Sequence, residues 1–335
     1  MKVAINGFGR IGRTVLKLLL ERGDVDVLAI NDLTDTETLA HLFKYDSVHR
    51  NYKGKVSFDK DHLFIDGNQI AVYAERDPEN LPWKKLGIDL VIESTGKFLS
   101  GELASKHLRA GARQVVISTP VADKDIPMVV LGVNDHEADL SSPLISNASC
   151  TTNNVAALIK VLDDHWKIKE GYITTVHSMT GDQSLHDAPH KDLRRGRAAS
   201  ASIIPTTTGA AKAITAIFPH LEGKLGGAGI RVPVLNGSLT DFTCILEQQP
   251  GSIDEINSAF KTAENGMLKG VLEYTEDPIV SVDILDNPHS CIFDAKLTSI
   301  VGGMVKVVGW YDNEYGYSSR LADLVGKIKA YRYNQ

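Results

Sequence analysis

The segment that most constrains the fold lies at the start of the chain, where a glycine-rich loop joins a strand-like run to a helix-like run. The loop is Gly7-Phe-Gly-Arg-Ile-Gly12, it follows the apolar run Lys2–Asn6, and Asp32 stands 20 residues after Gly12. This order of strand, glycine loop, helix, strand and acid is typical of dinucleotide-binding folds. The glycines let a pyrophosphate approach the backbone, and the acid accepts hydrogen bonds from ribose hydroxyls. An ordinary glycine-rich turn is the weaker interpretation.

Further short apolar runs alternate with helix-like runs in the first half of the chain. We predict strands at Asp89–Ser94, Gln114–Ser118, Met128–Val133 and Leu144–Ser146, and a helix at Ala104–Ala110. The alternation predicts an α/β domain with a doubly wound, mainly parallel sheet, whose ligands lie beyond the carboxyl ends of the strands. The polar residues expected there are Asn6, Asp32, Ser94-Thr95-Gly96 and Ser118. For any one of them alone, turn chemistry is an equally good explanation.

A polar run, Ser146–Asn154, precedes a segment with helical spacing of apolar residues, Val155–Trp166. Because the polar run is rich in helix-capping residues, we predict that Cys150 lies in the first turn of a helix. The N–H groups and dipole at that end lower a thiol pKa and favour the nucleophilic thiolate. A lone cysteine is more often a small buried residue, so the rest of the chain must supply catalytic partners.

After Cys150 the strand-like runs are joined by longer connections, which predicts an α+β domain with a mixed or antiparallel sheet. The predicted strands are Gly171–Val176, Gly229–Val234, Leu239–Leu246, Ile279–Asp283, Cys291–Asp294 and Met304–Tyr311, and the predicted helices include Ile253–Phe260 and Gly316–Tyr331. His177 ends the first of these strands. A basic loop from Gly181 to about Ala201 is long enough to be functional. Thr206–Lys212 opens a helix, which suits a phosphate or simple N-capping equally well.

Composition narrows the functional classes. The 335 residues exceed one ordinary core and predict two domains. Fractions of 43% hydrophobic and 23% charged residues are typical of soluble globular proteins, and the net charge of −6 argues against a dedicated nucleic-acid or membrane-surface binder. The three cysteines have no zinc spacing, so we expect no metal, no disulfide framework and a reducing, cytoplasmic compartment. We also expect no signal peptide and no membrane span.

In combination, the motifs resemble the phosphorylating, glycolytic glyceraldehyde-3-phosphate dehydrogenase family nearly end to end. The matching segments are Ile5–Gly12, Ser146–Asn153, Thr175–His177, Pro189–Arg195, Ile204–Ala213, Arg231–Pro233 and Trp310–Ser318. The resemblance implies an NAD-binding Rossmann domain over residues 1–149, completed by a C-terminal helix over 313–335, and a catalytic domain over 150–312. It also implies a homotetramer.

The resemblance further implies residue roles. Cys150 would be the nucleophile and His177 its base and later acid, so that the aldehyde passes through a thiohemiacetal and a thioester. NAD would accept the hydride, and inorganic phosphate would release 1,3-bisphosphoglycerate. The implied binders of substrate and phosphate are Ser149, Thr151, Thr180, Arg195, Thr208, Gly209 and Arg231. The expected cofactor residues are Asn6, Gly7, Gly9, Arg10, Ile11, Gly12, Asp32, Arg76, Ser118 and Asn313, the last of which would hold the nicotinamide carboxamide.

Two departures and three alternatives accompany the resemblance. Asn154 stands where many members carry a second cysteine, and Ala188 stands before Pro189 where a leucine is frequent in NAD-preferring members. An erythrose-4-phosphate dehydrogenase is the nearest alternative, but the intact Thr206–Lys212 favours the phosphate-using reaction. A non-catalytic binding protein is disfavoured because the catalytic residues are retained. A cysteine hydrolase is disfavoured by the dinucleotide fingerprint.

Overall fold

The structure is a computed structural model that describes residues 1–333 of the chain. Its helices are α1 (Arg10–Arg22), α2 (Thr36–Lys44), α3 (Trp83–Leu86), α4 (Gly101–Arg109), α5 (Cys150–Trp166), α6 (Ala210–Ile217), α7 (Ile253–Asn265) and α8 (Tyr315–Tyr333). Short 3-10 helices lie at Pro78–Asn80, Ala199–Ala201, Pro219–Leu221 and Ala295–Leu297. The expected C-terminal helix over 313–335 includes residues 334 and 335, which lie outside the described part of the chain.

The strands form two sheets. The first contains β1 (Lys2–Asn6), β2 (Asp26–Asn31), β3 (Val56–Phe58), β4 (His62–Ile65), β5 (Asn68–Tyr73), β6 (Leu90–Glu93), β7 (Gln114–Ile117) and β8 (Leu144–Ser146). The second contains β9 (Ile168–Ser178), β10 (Ile204–Thr206), β11 (Leu225–Val232), β12 (Ser238–Leu246), β13 (Leu272–Thr275), β14 (Cys291–Asp294), β15 (Ser299–Val301) and β16 (Met304–Tyr311).

Two compact units carry these sheets. Among the described residues, unit 1 comprises Met1–Val129, Glu137–Ala148 and 318–333, whereas unit 2 comprises Val130–His136 and Ser149–Tyr317. Within residues 1–333, no helix is both long and apolar enough to cross a membrane.

The sheet of unit 1 has the strand order β3-β4-β5-β2-β1-β6-β7-β8. Neighbouring strands in the run β5-β2-β1-β6-β7-β8 pair in parallel, whereas β4 pairs antiparallel with both β5 and β3. This arrangement confirms the predicted doubly wound, mainly parallel fold. Parallel pairing aligns Asn6 with Asn31 on one side and with Glu93 on the other, so their side chains leave the same carboxyl edge.

The first βαβ unit forms as its sequence predicts. Residues Val3–Ile5 of β1 are fully buried, which explains their continuous apolar run. Helix α1 buries Val15, Leu16 and Leu19 on one face and ends at Gly23, whose φ of 63° lies in the left-handed region that favours glycine.

The sheet of unit 2 has the strand order β10-β11-β9-β12-β16-β14-β13, with β15 paired to β16. Strands β9 and β11 are parallel, whereas β12 is antiparallel to both β9 and β16. The mixed sheet, covered by the largely buried α5, confirms the predicted α+β class. The parallel register places Arg231 of β11 directly beside His177 of β9.

Two predicted strands are wrong. At Met128–Val133 only Met128 forms a bridge, and the chain then turns at Gly132, where φ is 78° and the N–H is bound by the Asp135 carboxylate. At Ile279–Asp283 the Asp283 carboxylate accepts from the Val280 N–H, and the Val280 carbonyl accepts from the Asp283 N–H. Both segments have strand-like composition, but short polar side chains satisfy their backbone locally as turns.

Candidate active site

The nucleophile candidate lies where the sequence predicts it, at the first residue of α5. Ser149 caps this helix, and its Oγ accepts a hydrogen bond of 3.1 Å from the Thr152 N–H. The preceding residue, Ala148, has a φ of 55°, which is unusual for a residue with a side chain. The strained entry and the cap together fix the direction in which the Cys150 side chain leaves the helix.

His177 at the end of β9 reaches Cys150 with its Nε2 atom 3.5 Å from Sγ. Its Nδ1 atom lies 2.8 Å from the Ser178 carbonyl oxygen and 2.8 Å from Arg231 Nη1. If Nδ1 carries the proton, it donates to Ser178 and Nε2 can accept the thiol proton. Once Nε2 has accepted that proton, the ring is an imidazolium whose Nδ1–H is still held by Ser178 and whose Nε2–H can return the proton. His177 can therefore act first as a base and then as an acid towards Cys150, with its ring oriented by the Ser178 carbonyl.

Burial decides the charges of this pair. It raises the pKa of the Cys150 thiol, although the Arg231 guanidinium and the Thr151 N–H lower it. Burial and the Arg231 charge lower the pKa of His177 to about 3. The expectation of a lowered thiol pKa at the helix start is therefore wrong for this structure, because burial outweighs the favourable N–H groups. The resting pair is a neutral thiol beside a neutral imidazole.

Three predicted anion binders converge in unit 2. Arg231 Nη1 donates to Thr180 Oγ1 at 3.1 Å, and Thr180 Oγ1 donates to the Asp182 carboxylate. Arg195 Nη1 donates to the same carboxylate at 2.9 Å, and its Nε donates to Thr206 Oγ1 at 3.0 Å. Burial raises the pKa of Asp182, but Thr180 and the two arginines more than offset it, so the net shift is downward. The Asp182 carboxylate thus accepts hydrogen bonds from groups that are expected to bind phosphate.

The remaining expected phosphate binders lie at helix starts. Thr208 Oγ1 accepts from the Ala210 N–H at 3.2 Å, and Gly209 opens α6 without a side-chain cap. The hydroxyl of Thr151 instead bonds the Tyr311 hydroxyl at 2.9 Å. The side chain of Thr151 is therefore already engaged, and its backbone N–H is directed at Cys150, whose thiol pKa it lowers.

Tyr311 is a residue that the sequence analysis missed. Its ring is buried, lies edge-on to the His177 ring at 6.0 Å, and its hydroxyl also meets Thr175 Oγ1 at 2.9 Å. Burial raises its pKa, so the group is a neutral phenol. An aromatic residue at the end of an apolar strand carries no sequence signal that separates this position from core packing.

Asn313 is held by three donors in unit 2. Its Oδ1 atom accepts from Ser178 Oγ at 2.9 Å, from Ser238 Oγ at 2.8 Å and from the Gly237 N–H at 3.2 Å. With the oxygen occupied, the amide nitrogen is the atom left to donate to a ligand, as a nicotinamide carboxamide oxygen requires. Neither serine was singled out from the sequence.

In unit 1 the glycine loop is shaped by close contacts. A Cβ on Gly7, whose φ is 91°, would lie 2.7 Å from the Thr95 nitrogen, and a Cβ on Gly12 would lie 2.2 Å from the Gly7 carbonyl oxygen. Gly9 begins α1 without any side-chain cap, so the first N–H groups of that helix are left for an anion. This cradle fits the pyrophosphate of a dinucleotide.

Asp32 lies immediately after β2, at the carboxyl edge of the sheet. Its two oxygens accept one hydrogen bond each, from the Phe8 N–H at 2.8 Å and from the Thr34 N–H at 3.0 Å. Because each carboxylate oxygen can accept two hydrogen bonds, acceptor sites remain for two ribose hydroxyls. The residue therefore fits the role that the fingerprint assigns to it.

The other expected cofactor residues are placed less directly. Arg10 forms an ion pair of 2.8 Å with the buried Asp46, which engages its guanidinium. Ile11 lies half-buried in the first turn of α1, Ser118 follows β7, and Arg76 is exposed. Their geometry is compatible with a cofactor without requiring one.

Two family models match the chain. The family model described as the glyceraldehyde 3-phosphate dehydrogenase NAD binding domain matches residues 1–101. The model described as the C-terminal domain of the same enzyme matches residues 149–313. Together these matches include the glycine loop, Cys150, His177 and Arg231.

Curated relatives agree over almost the whole chain. The glyceraldehyde-3-phosphate dehydrogenase of Geobacillus stearothermophilus is 52% identical over 98% of both chains. The enzymes of Mycobacterium avium and Streptomyces coelicolor are 52% and 53% identical, over 98% and 97% of both chains. With both family models matched and this identity sustained from end to end, the chain belongs to the glyceraldehyde 3-phosphate dehydrogenase family.

Proposed function

We propose that this chain catalyses the NAD-dependent, phosphorylating oxidation of glyceraldehyde 3-phosphate to 1,3-bisphosphoglycerate. The observation that carries the proposal is the group formed by Cys150, His177 and Arg231. A thiol lies 3.5 Å from an imidazole nitrogen, and the other imidazole nitrogen lies 2.8 Å from a guanidinium. A nucleophile, a proton acceptor and an anion binder are the groups that acyl transfer to phosphate requires.

The first step forms a bond between sulfur and the aldehyde carbon. His177 Nε2 accepts the thiol proton as sulfur attacks, and the protonated imidazole then donates that proton to the former carbonyl oxygen. The product is a thiohemiacetal on Cys150. Because the resting thiol is neutral, proton transfer accompanies the attack instead of preceding it.

The second step oxidises the thiohemiacetal to a thioester. Bound NAD supplies the hydride acceptor for this step. His177, neutral again after the first step, removes the hydroxyl proton as the carbon loses its hydride. We infer that the amide nitrogen of Asn313 orients the nicotinamide carboxamide, since its oxygen is held by three protein donors.

The third step transfers the acyl group from sulfur to phosphate. A phosphate oxygen attacks the thioester carbon, the carbon–sulfur bond breaks, and the thiolate regains the proton held by His177. The acyl phosphate leaves, and the neutral thiol and imidazole are restored. Proton return needs the acid form of His177, which the lowered pKa of the imidazole makes a strong donor.

Two anion positions are required, one for the substrate phosphate and one for the attacking phosphate. We infer that Arg195, Arg231 and Thr180 serve them together with the helix-start residues Ser149, Thr151, Thr208 and Gly209. Arginine suits this role because its planar fork is always charged. An incoming phosphate competes with Asp182 for donors that this carboxylate now occupies.

We also infer the coarser organisation of the enzyme. Residues 1–149 with the helix over 313–335 would form the NAD-binding domain, and residues 150–312 the catalytic domain. A homotetramer is supported by exposed apolar side chains in and beside the loop that follows Thr180, since Leu185, Leu193 and Ile203 are 69%, 86% and 71% exposed. Light scattering after gel filtration measures the number of subunits in the assembly. We also expect the enzyme to be located in the cytoplasm.

The experiment that tests the function follows the absorbance of reduced nicotinamide with glyceraldehyde 3-phosphate, with and without inorganic phosphate, and with NAD and NADP in parallel. We expect turnover that depends on phosphate and prefers NAD, because Asp32 repels a 2′-phosphate. Turnover with NADP alone would contradict the cofactor assignment. Turnover with erythrose 4-phosphate but not with glyceraldehyde 3-phosphate would contradict the substrate assignment.

A further inference from the structure

A buried polar network lies beneath the glycine loop of unit 1. At its centre is Glu93, the last residue of β6, which is 1% exposed. One carboxylate oxygen accepts from Asn6 Nδ2 at 2.5 Å and from His107 Nε2 at 3.1 Å. The other accepts from the N–H of Thr95 at 2.8 Å and from its hydroxyl. Four donors from three residues therefore converge on the two oxygens of this carboxyl group.

One end of the network is fixed by an indole. The N–H of Trp83 donates to His107 Nδ1 at 3.0 Å, and an indole nitrogen can only donate. Nδ1 is therefore the acceptor, and Nε2 carries the proton that it donates to Glu93. His107 and Asn6 Nδ2 lie 3.3 Å apart because both converge on the same carboxylate oxygen. The tautomer of His107 is thus set by its partners.

The other end is fixed by the backbone. Asn6 Oδ1 accepts from Asn31 Nδ2 at 2.7 Å. The Asn31 amide is in turn oriented by Glu75, whose N–H donates to its oxygen at 2.8 Å and whose carbonyl accepts from its nitrogen at 2.9 Å. Since backbone groups cannot exchange their donor and acceptor roles, both asparagine amides have only one satisfactory orientation.

The network touches each strand end from which the cofactor residues project. Asn6 is one of those residues, and Glu75 precedes Arg76. The Ser118 N–H donates to the Glu93 carbonyl at 2.9 Å. Ser94 Oγ lies 2.8 Å from the Gly7 carbonyl oxygen, which binds the turn after β6 to the glycine loop. A change of the Glu93 side chain therefore acts directly on Asn6 and Thr95, which adjoin the glycine loop and the turn after β6.

We propose that Glu93 is a positioning residue for the dinucleotide, acting through Asn6 and Thr95 to hold the glycine loop and the turn after β6 in the shape that receives the pyrophosphate. This inference rests on the proposed NAD-dependent function. Four protein donors occupy the oxygens of the Glu93 side chain, so this residue does not contact the cofactor. A side chain at this position that cannot accept from all four donors must release one of them.

The decisive variant is Glu93→Gln, which keeps the shape of the side chain. A glutamine presents an amide NH₂ on one side, so it must face either the Thr95 N–H or the donors Asn6 and His107. The Thr95 N–H is a backbone donor and cannot accept, and His107 and Asn6 cannot become acceptors without opposing the fixed groups of Trp83 and Glu75. We expect the Kd for NAD, measured by titration calorimetry, to rise about tenfold and kcat at saturating NAD to change less than about threefold.

Two further variants separate positioning from general destabilisation. Thr95→Val removes one hydroxyl donor with little change in volume, and we expect the Kd for NAD to rise about threefold. Val91→Ala lowers the melting temperature from the same strand without touching the network, and the Kd for NAD should stay at the wild-type value. If Val91→Ala weakens NAD binding as much as Glu93→Gln does, the role of Glu93 is only structural and the proposal fails.

The NAD affinities of the variants also test the proposed role of Glu93 in other ways. A folded Glu93→Gln protein with the wild-type Kd for NAD overturns the inference. If Glu93→Gln does not fold, Thr95→Val decides alone, and an unchanged Kd for NAD in that variant overturns it equally. Failure of the wild-type protein to bind NAD would instead contradict the proposed function, so the two failures are distinguishable.

Discussion

The cofactor cradle of unit 1 and the catalytic group of unit 2 are built in different ways. The cradle uses one continuous segment, Gly7–Gly12, with Asp32 shortly after it, and its shape depends on backbone that approaches too closely for side chains. The catalytic group draws Cys150, His177 and Arg231 from a helix and two strands. The first site depends on the absence of side chains, and the second depends on their polarity and their burial.

The comparison predicts that catalysis can be removed without removing cofactor binding. In Cys150→Ser the hydroxyl cannot replace the thiolate, so turnover should fall by roughly 10⁴-fold or more, whereas the Kd for NAD should stay within about twofold. Steady-state rates and calorimetric NAD titration measure the two quantities. Substantial remaining dehydrogenase activity would contradict the assigned nucleophile.

His177 should matter next most, because it moves a proton in every step of the proposed mechanism. We expect His177→Asn to lower kcat by about 10²–10⁴-fold, with much less effect on NAD affinity. Single-turnover measurements of acyl-enzyme formation test the assignment. A variant that retained wild-type acylation would mean that another group accepts the thiol proton.

The charges of the pair predict an unusual pH profile. Since the pKa of His177 is lowered to about 3, the imidazole stays neutral through the range near pH 6.5 in which histidines ordinarily titrate. Alkylation of Cys150 by iodoacetamide should therefore rise with pH only as the thiol itself ionises, at a pH above the ordinary value. A clear inflection near pH 6.5 that disappears in His177→Asn would contradict the neutral resting pair.

The glycine loop should show a smaller but position-specific effect. Gly12→Ala puts a methyl group against the Gly7 carbonyl, whereas a Cβ on Gly9 would meet nothing within 4 Å. We expect Gly12→Ala to raise the Kd for NAD by about 10²-fold, which corresponds to about 2.7 kcal/mol, and Gly9→Ala to raise it no more than about threefold. Equal effects at the two positions would mean that the contact at Gly12 does not shape the site.

The same contrast explains how much the sequence reveals. The boundaries of β1, β14 and β16 match the predicted runs, and Cys150 begins α5 as expected, because these segments are specified by local periodicity and capping. The strands β3 to β5 were not predicted, and the segments at Met128–Val133 and Ile279–Asp283 were assigned wrongly. In the latter two, single side-chain hydrogen bonds choose a turn over a strand.

The catalytic group could be predicted only in part from the sequence, for a related reason. Arg231 is placed beside His177 by the register of β11 on β9, and the roles of Asp182 and Tyr311 depend on contacts with residues distant in sequence. None of these placements follows from a local pattern. The predicted direction of the Cys150 pKa shift was wrong, because a sequence indicates the position of a residue in a helix but not how deeply its side chain is buried.

The smallest expected effect concerns Asp46, which bears on stability rather than on either site. Burial raises its pKa, but the N–H groups of His49 and Val48 and the Arg10 guanidinium lower it to about 2. A folded-state pKa below the unfolded value of 3.8 stabilises the protein above that pH, and this contribution is lost as pH falls towards 2. We expect Asp46→Asn to cost about 1–2 kcal/mol at pH 7.

The carboxylate holds the side chain of Arg10 and the N–H groups of Val48 and His49, so the Asp46→Asn variant should bind NAD within about twofold of wild type, in contrast to variants at the loop glycines. Urea unfolding at pH 7 and at pH 3 measures the stability, and the difference between variant and wild type should narrow at the lower pH. A large loss of NAD affinity would mean that the Arg10 guanidinium, and not only the backbone beside it, shapes the cofactor cradle.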